Sequence, residues 1–407
     1  MSVVIVGTLD TKSEEIGFAR DVLQAQGVDV HLVDTGVMGD PEIEADTTAS
    51  EVAEAADTTL DHLREDAERG AAMEAMGEGA AAMVLEMQEA GELDGVLGLG
   101  GSGNTSIATT AMRALPVGVP KVMVSTMASG DTEPYVGAKD IMLLYSVADI
   151  EGLNQLSRRV IANAALAMVG MVTNEPDVEV EERPTVGITM FGVTTPCVQT
   201  AREYLESRGY ETIVFHATGT GGQAMENLVR EGVIDGVLDV TTTEWADELV
   251  GGVLNAGPDR LDAAAETATP QVVSTGALDM VNFGPRDSVP GEFEDRTFHI
   301  HNPQVTLMRT TPEENAQLGE IIAEKLSAAT GPTALYLPLE GVSMIDVEGE
   351  DFYDPEADAA LFDALRAHLD ESVELIELET DINDEAFAEA MAEKLDEYMR
   401  AAGVGPS

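Results

Sequence analysis

Apolar and polar positions alternate along the chain in blocks of two kinds. Short runs rich in Val, Ile and Leu lead into Gly/Thr loops, and amphipathic stretches of helical period follow. Residues 3–36 (VVIVGTLDTKSEEIGFARDVLQAQGVDVHLVDTG) read as strand, loop, helix, a turn at Gly27, a second strand and a Gly-ended loop. Residues 186–219 (VGITMFGVTTPCVQTAREYLESRGYETIVFHATG) repeat that order, with Gly209 at the turn. GELDGVL (91–97) recurs as GVIDGVL (232–238), and PKVMVSTMASG (120–130) as PQVVSTGALDM (270–280). IMLLYSVADIEGLNQLSRRVIANAALAMVG (141–170) matches VTLMRTTPEENAQLGEIIAEKLSAATG (305–331), each a strand and a long helix. The first copy carries extra residues, assigned to the acidic, Ala-rich stretch 47–87, which reads as one or two long helices.

Alternating strands and helices predict an α/β protein. It has two tandem, doubly wound (Rossmann-like) lobes with mainly parallel sheets and a ligand cleft between them. The boundaries fall at 1–177 and 182–407, around the proline-bounded polar linker NEPDVEVEERP (174–184). Further elements at Ala334–Leu339, Pro355–Leu369, Val373–Leu378 and Glu385–Met399 extend or edge the second sheet.

Composition narrows the functional classes. The net charge is −55, from 76 acidic and 21 basic residues in 407, and only five residues are lysine. Nucleic acid is disfavoured as a partner, because phosphate needs a basic face. Acid excess with lysine depletion predicts a halophilic protein of a very salty cytoplasm, where a Debye length of about 3 Å at 1 M screens self-repulsion. The single cysteine, Cys197, excludes an intramolecular disulfide. No leader-like n-region and no membrane-length apolar run are apparent, so a cytoplasmic location without membrane contact is expected.

Ligands of open α/β sheets bind beyond the carboxyl ends of the strands. In the first half those ends carry GTLDTK (7–12), VDTG (33–36), GLGGSGNTS (98–106) and STMASGD (125–131). A strand, glycines and a Ser/Asn/Thr helix start make an anion site of Gly98, Gly100, Gly101, Ser102, Gly103, Asn104 and Thr105. The G-x-G-x-x-G match follows the third strand instead of the first, and the Walker spacing has Asn104 where lysine belongs. A flavodoxin-like strand order would bring Lys12 beside this loop, with Gly7, Thr8, Asp10 and Thr11; Lys139 is a further candidate. Asp34 stands where an acid often holds ribose, and Asp10 is placed to hold Mg²⁺ through phosphates. Either aspartate could equally cap a turn or helix. Ser125, Thr126 and Gly130 complete the nucleotide set.

The second half offers Cys197 at a helix start, which would lower a thiol pKa, although burial as a small hydrophobe is the plainer reading. His216 and Glu244 at strand ends are candidate acid–base groups, with structural roles as the alternative. Thr194, Thr195, Thr218, Gly219, Thr220, Gly221, Gly222, Thr241, Thr242 and His301 would receive a second anion, a small metabolite.

GTLDTK, LPVGVPKVMVSTMASGD, TMFGVTTPCV, FHATGTGGQAME, DVTTTEWADEL, GALDMVNFG and HNPQVTLMRTT together resemble one family. It contains the N-terminal ATP-binding domain of the tomato mosaic virus resistance protein. The resemblance runs from about Val3 to Leu369 and implies a two-lobed α/β fold, Mg-ATP binding and homodimers. The plant protein carries a further barrel-type domain, and a separate barrel-type enzyme is therefore an expected candidate partner. Two readings follow. One is an ATP-dependent enzyme acting on an anionic metabolite in the cleft. The other is a non-catalytic ATP-binding regulatory or scaffold module. An NAD-dependent dehydrogenase rests on G-x-G-x-x-G alone.

Overall fold

The computed structural model describes residues 1–65, 68–174 and 183–406. The chain divides into two compact units, 1–179 and 180–407. Most of the 174–184 linker lies outside the described residues.

The first unit runs β1 (Ser2–Gly7), α1 (Leu9–Ala25), β2 (Asp29–Asp34), α2 (Ala49–Ala55), α3 (Leu60–Glu65), α4 (Arg69–Glu89), β3 (Gly95–Gly100), α5 (Ser102–Ala114), β4 (Lys121–Ser125), α6 (Glu133–Val136), β5 (Met142–Tyr145) and α7 (Gln155–Thr173). The five strands are parallel in the order β2-β1-β3-β4-β5. Both faces are buried, which explains the unbroken apolar strands. Val3 and Ile5 pack with Ile16, Leu23, Ile161 and Met168 of α1 and α7. Val4 and Val6 turn to Val52, Met76, Ile107 and Met112 of α2, α4 and α5. Each such buried side chain contributes about 1.5–3 kcal/mol. Among the described residues the Ala-rich insertion forms three helices, α2 to α4, instead of one or two, and α4 packs on α5.

The second unit runs β6 (Thr185–Met190), α8 (Thr195–Ser207), β7 (Glu211–His216), α9 (Thr220–Arg230), β8 (Gly236–Thr241), α10 (Glu244–Val250), α11 (Ala263–Thr267), β9 (Gln271–Gly276), β10 (Met280–Phe283), β11 (Phe298–Asn302), β12 (Val305–Arg309), α12 (Pro312–Ser327), β13 (Thr333–Pro338), α13 (Pro355–His368), β14 (Glu374–Leu378) and α14 (Glu385–Ala402). Its main sheet is parallel, in the order β14-β13-β9-β8-β6-β7. The first four strands of each unit therefore occupy equivalent places, as tandem Rossmann-like lobes require. The α14 helix packs on α8 over this sheet.

The fourth internal match departs from expectation. IMLLY forms β5 at the edge of the first sheet, but VTLMR forms β12 at the centre of a separate antiparallel sheet, β10-β12-β11. A tight connection from Asn302 to Val305 pairs β11 with β12, and β10 takes its other edge. With both edges satisfied, β12 has no free ladder to offer, and the wholly buried β13 sits beside β9.

Candidate functional site

The carboxyl ends of β1, β2 and β3 enclose a cavity of about 630 Å³, within the size range of small-ligand pockets. Its position follows from strand order: β1 and β3 are neighbours while their helices leave to opposite faces. At Gly98, a Cβ would meet Met123 Sδ at 2.6 Å and Ala108 at 2.8 Å; at Gly100, one would meet Asn104 at 2.7 Å. These two glycines let α5 lie against β3, which aims its first turn at the cavity. Gly101 and Gly103, whose Cβ positions have nothing nearer than 3.7 Å, line it with Ser102. Gly101 caps α5 without a side-chain bond, so the leading N–H groups and helix dipole meet the cavity unneutralised.

Lys12, Arg64 and Arg69 line the same cavity, against one carboxylate, Asp10. Lys12 lies at a kink of α1 (φ −128°, ψ 21°). Its ammonium and the Arg69 guanidinium have no hydrogen-bond or ion-pair partner among the described residues. Arg64 donates to the carbonyls of Val37 (2.7 Å) and Gly39 (3.2 Å). Asp10 Oδ2 accepts from the N–H groups of Met38 (2.9 Å) and Gly39 (3.2 Å). Its Oδ1 is buried and has no partner. One unpartnered carboxylate oxygen is the kind of donor Mg²⁺ takes alongside phosphate and water oxygens. No cluster of three or more metal-ligating side chains occurs among the described residues.

The remaining first-lobe candidates divide. Thr8 and Thr11 line the cavity with their hydroxyls 3.0 Å apart. The side chain of Asn104 is 6 % exposed and ties the strands, donating to Leu99 O at 2.7 Å. Thr105 and Ser125 bond each other at 2.7 Å in the interior. Gly7 is buried under Ile16. Thr126 borders a separate shallow depression, and Gly130 is exposed outside the cavity. Lys139 donates to Leu115 O, away from the cavity. Asp34 is not at a ribose position: it is 2 % exposed, and its Oδ1 accepts from Leu9 N–H (3.0 Å) and Gly36 N–H (2.8 Å). Burial raises its pKa despite those bonds.

Arg64 and Arg69 were not anticipated. The signal is compositional: they are the only Lys or Arg between Arg20 and Arg113.

In the second lobe the glycine loop already holds an anion from within the chain. Glu244 Oε1 accepts from Gly219 N–H (2.8 Å) and Gly222 N–H (3.1 Å), and its Oε2 receives Arg260 Nε (2.7 Å). Gly219 has φ +85° and Asn255 O 2.5 Å from its Cβ position, so only glycine suits the turn. Arg260 is 1 % exposed and also binds Asp239 through two nitrogens, and Glu226. Glu244 thus neutralises a structural arginine, where a base would need solvent or substrate. Burial raises its pKa, and Arg260 opposes the rise.

The threonines are similarly spent. Thr194 bonds Thr241 at 2.7 Å, Thr242 donates to Ser274 O, Thr195 to Phe191 O and Thr218 to His216 O. Thr220 is half-buried in the first turn of α9, and a Cβ at Gly221 would run into the His216 carbonyl. His216 is exposed, stacked edge-on to Phe191 at 5.4 Å; desolvation lowers its pKa. His301 is exposed on β11. Cys197 is wholly buried, and desolvation pushes its thiol up to about 12, overriding the helix-start effect.

Two family models match the chain. A family model described as the N-terminal domain of the uncharacterised UPF0261 family matches residues 1–177, and one for its C-terminal domain matches 183–399. A "UPF0261 protein" of Clostridium tetani is 54% identical over 394 residues, covering 97% of this chain and 98% of its own. The "ToMV resistance protein Tm-1(GCR237)" of Solanum lycopersicum is 49% identical over 332 residues, covering 80% of this chain but 44% of its own. Among solved structures, the esterase domain of a Rhodothermus marinus protein is similar with a TM-score of 0.31 and 16% identity. It covers 55% of this chain and 90% of that one, a likeness too loose to bear on activity.

Proposed function

The chain belongs to the UPF0261 family, and from that premise we propose that its first lobe binds a magnesium-bound nucleoside polyphosphate, ATP being the ligand the family resemblance implies. One observation carries the reading. A chain of charge −55 turns three of its 21 basic residues, and the bare start of α5, toward one cavity holding a single carboxylate. Cations gathered around one cavity repel one another, and a bound anion relieves that repulsion. The N–H groups of Ser102 and Gly103 would receive phosphate oxygens, with Lys12, Arg64 and Arg69 as counter-charges. Asp10 Oδ1 would hold Mg²⁺, which when bound neutralises phosphate charge.

A regulatory or scaffold role is favoured over an enzyme with its substrate in the second lobe. Glu244 occupies the glycine loop there, and Thr194, Thr195, Thr218, Thr241 and Thr242 bond within the protein. Thermal-shift measurements at molar KCl with ATP, ADP and NAD, each with and without Mg²⁺, test the reading. A shift with Mg-ATP is expected. A shift with NAD and none with ATP would replace the ligand. Magnesium-dependent ATP turnover stimulated by a small organic acid would restore the enzyme reading.

A further inference from the structure

We infer that this site takes nucleoside triphosphates without reading the base; the inference rests on the nucleotide reading above. The cavity's lining includes both polar and apolar side chains. Its cations, its free helix N–H groups and, Thr35 aside, its hydroxyls belong to the starts of α1 and α5 and to the α3–α4 arginines. What remains for a base is a wall of Val37, Met38, Leu63, Ala72, Met73 and Ile107, all apolar.

Backbone groups could still read a base edge, but the loop after β2 has committed most of those in reach. Gly36 N–H goes to Asp34, Met38 and Gly39 N–H to Asp10, and the carbonyls of Val37 and Gly39 receive Arg64. The amide side chain in the lining, Asn104, is turned to Leu99 O and is 6 % exposed. Thr35 is 1 % exposed, its hydroxyl directed at Asn104. A site that hydrogen-bonds a substrate rejects an analogue by orders of magnitude, whereas an apolar wall does not. Met38, 87 % exposed, and Met73 are unbranched thioether chains that adapt to purine and pyrimidine faces alike.

Titration calorimetry of the full chain with Mg-ATP, Mg-GTP, Mg-CTP and Mg-UTP, and with magnesium tripolyphosphate, tests this. The four nucleotides should agree within about fivefold, and tripolyphosphate should bind about tenfold more weakly for want of apolar contact. Met38→Ala, checked for native circular dichroism, should weaken all four nucleotides alike and leave tripolyphosphate unchanged. One nucleotide binding about thirtyfold tighter than the rest would overturn base indifference and leave the nucleotide reading standing. Tripolyphosphate binding as tightly as ATP would overturn the role of the apolar wall. No binding by any of the five would overturn the nucleotide reading, and this inference with it.

Discussion

Replacing Glu244 by alanine tests whether the second lobe's glycine loop is a built-in anion site. Glu244 makes three polar contacts: Gly219 N–H at 2.8 Å, Gly222 N–H at 3.1 Å and Arg260 Nε at 2.7 Å. Its loss strands two buried N–H donors, each costing about 1–3 kcal/mol. Arg260 keeps Asp239 and Glu226, so its charge is not orphaned, and the desolvation of Glu244 itself disappears. The balance is a destabilisation of about 3 kcal/mol. The only tryptophan, Trp245, is the next residue and is buried in the second-lobe core, so its fluorescence follows this lobe alone. With a urea slope of about 2 kcal/mol/M, the midpoint should fall by about 1.5 M. Glu244→Gln keeps a carbonyl oxygen for the two N–H groups and should lose about half as much. A Glu244→Ala midpoint unchanged, or raised, would refute the reasoning and return the loop to the status of an open anion site.

Stability should depend on pH through carboxyls held protonated by burial. Burial raises Asp247 to about 7; it also raises Asp279, against Arg309, and Asp346, where repulsion from Asp279 adds to burial and Arg309 opposes both. Each folded value exceeds the unfolded one, so this stability is complete below about pH 4 and is lost as pH rises through the folded values, by up to about 1.4 kcal/mol per pH unit per proton held. The Trp245 urea midpoint should therefore be higher at pH 6 than at pH 8.5, and the opposite order would contradict the assignment. The acid-coated surface gives a second expectation: the thermal midpoint should rise from 0.1 to 2 M KCl, as the Debye length falls from about 10 Å to below about 3 Å. Equal midpoints in both salts would rule out a halophilic design.

The fold was legible wherever a segment's pattern determines its partner. Buried parallel strands such as VVIV advertise themselves, and the Gly27 and Gly209 turns, with φ of +79° and +99°, mark where helices stop. The pairing of β12 was not legible, because VTLMR has the composition of a main-sheet strand and its fate depends on β10 and β11. The same division applies to the site. Lys12 and Gly101–Gly103 lie in motifs at strand ends, and parallel topology alone brings them together. Arg64 and Arg69 reach the cavity only because α3 and α4 fold back over the α5 face, which no local motif encodes. The role of Glu244 was hidden for a related reason: its partner Arg260 comes from the irregular chain between α10 and α11.

The central claim is that three cations and the α5 start form one anion site in the first lobe. Titration of Mg-ATP into the wild-type chain and into Lys12→Ala and Arg69→Ala measures it most directly. Neither side chain has a partner to lose among the described residues, so both variants should stay folded and bind Mg-ATP at least about tenfold more weakly. Wild-type affinity in both variants, with the fold intact, would contradict the account.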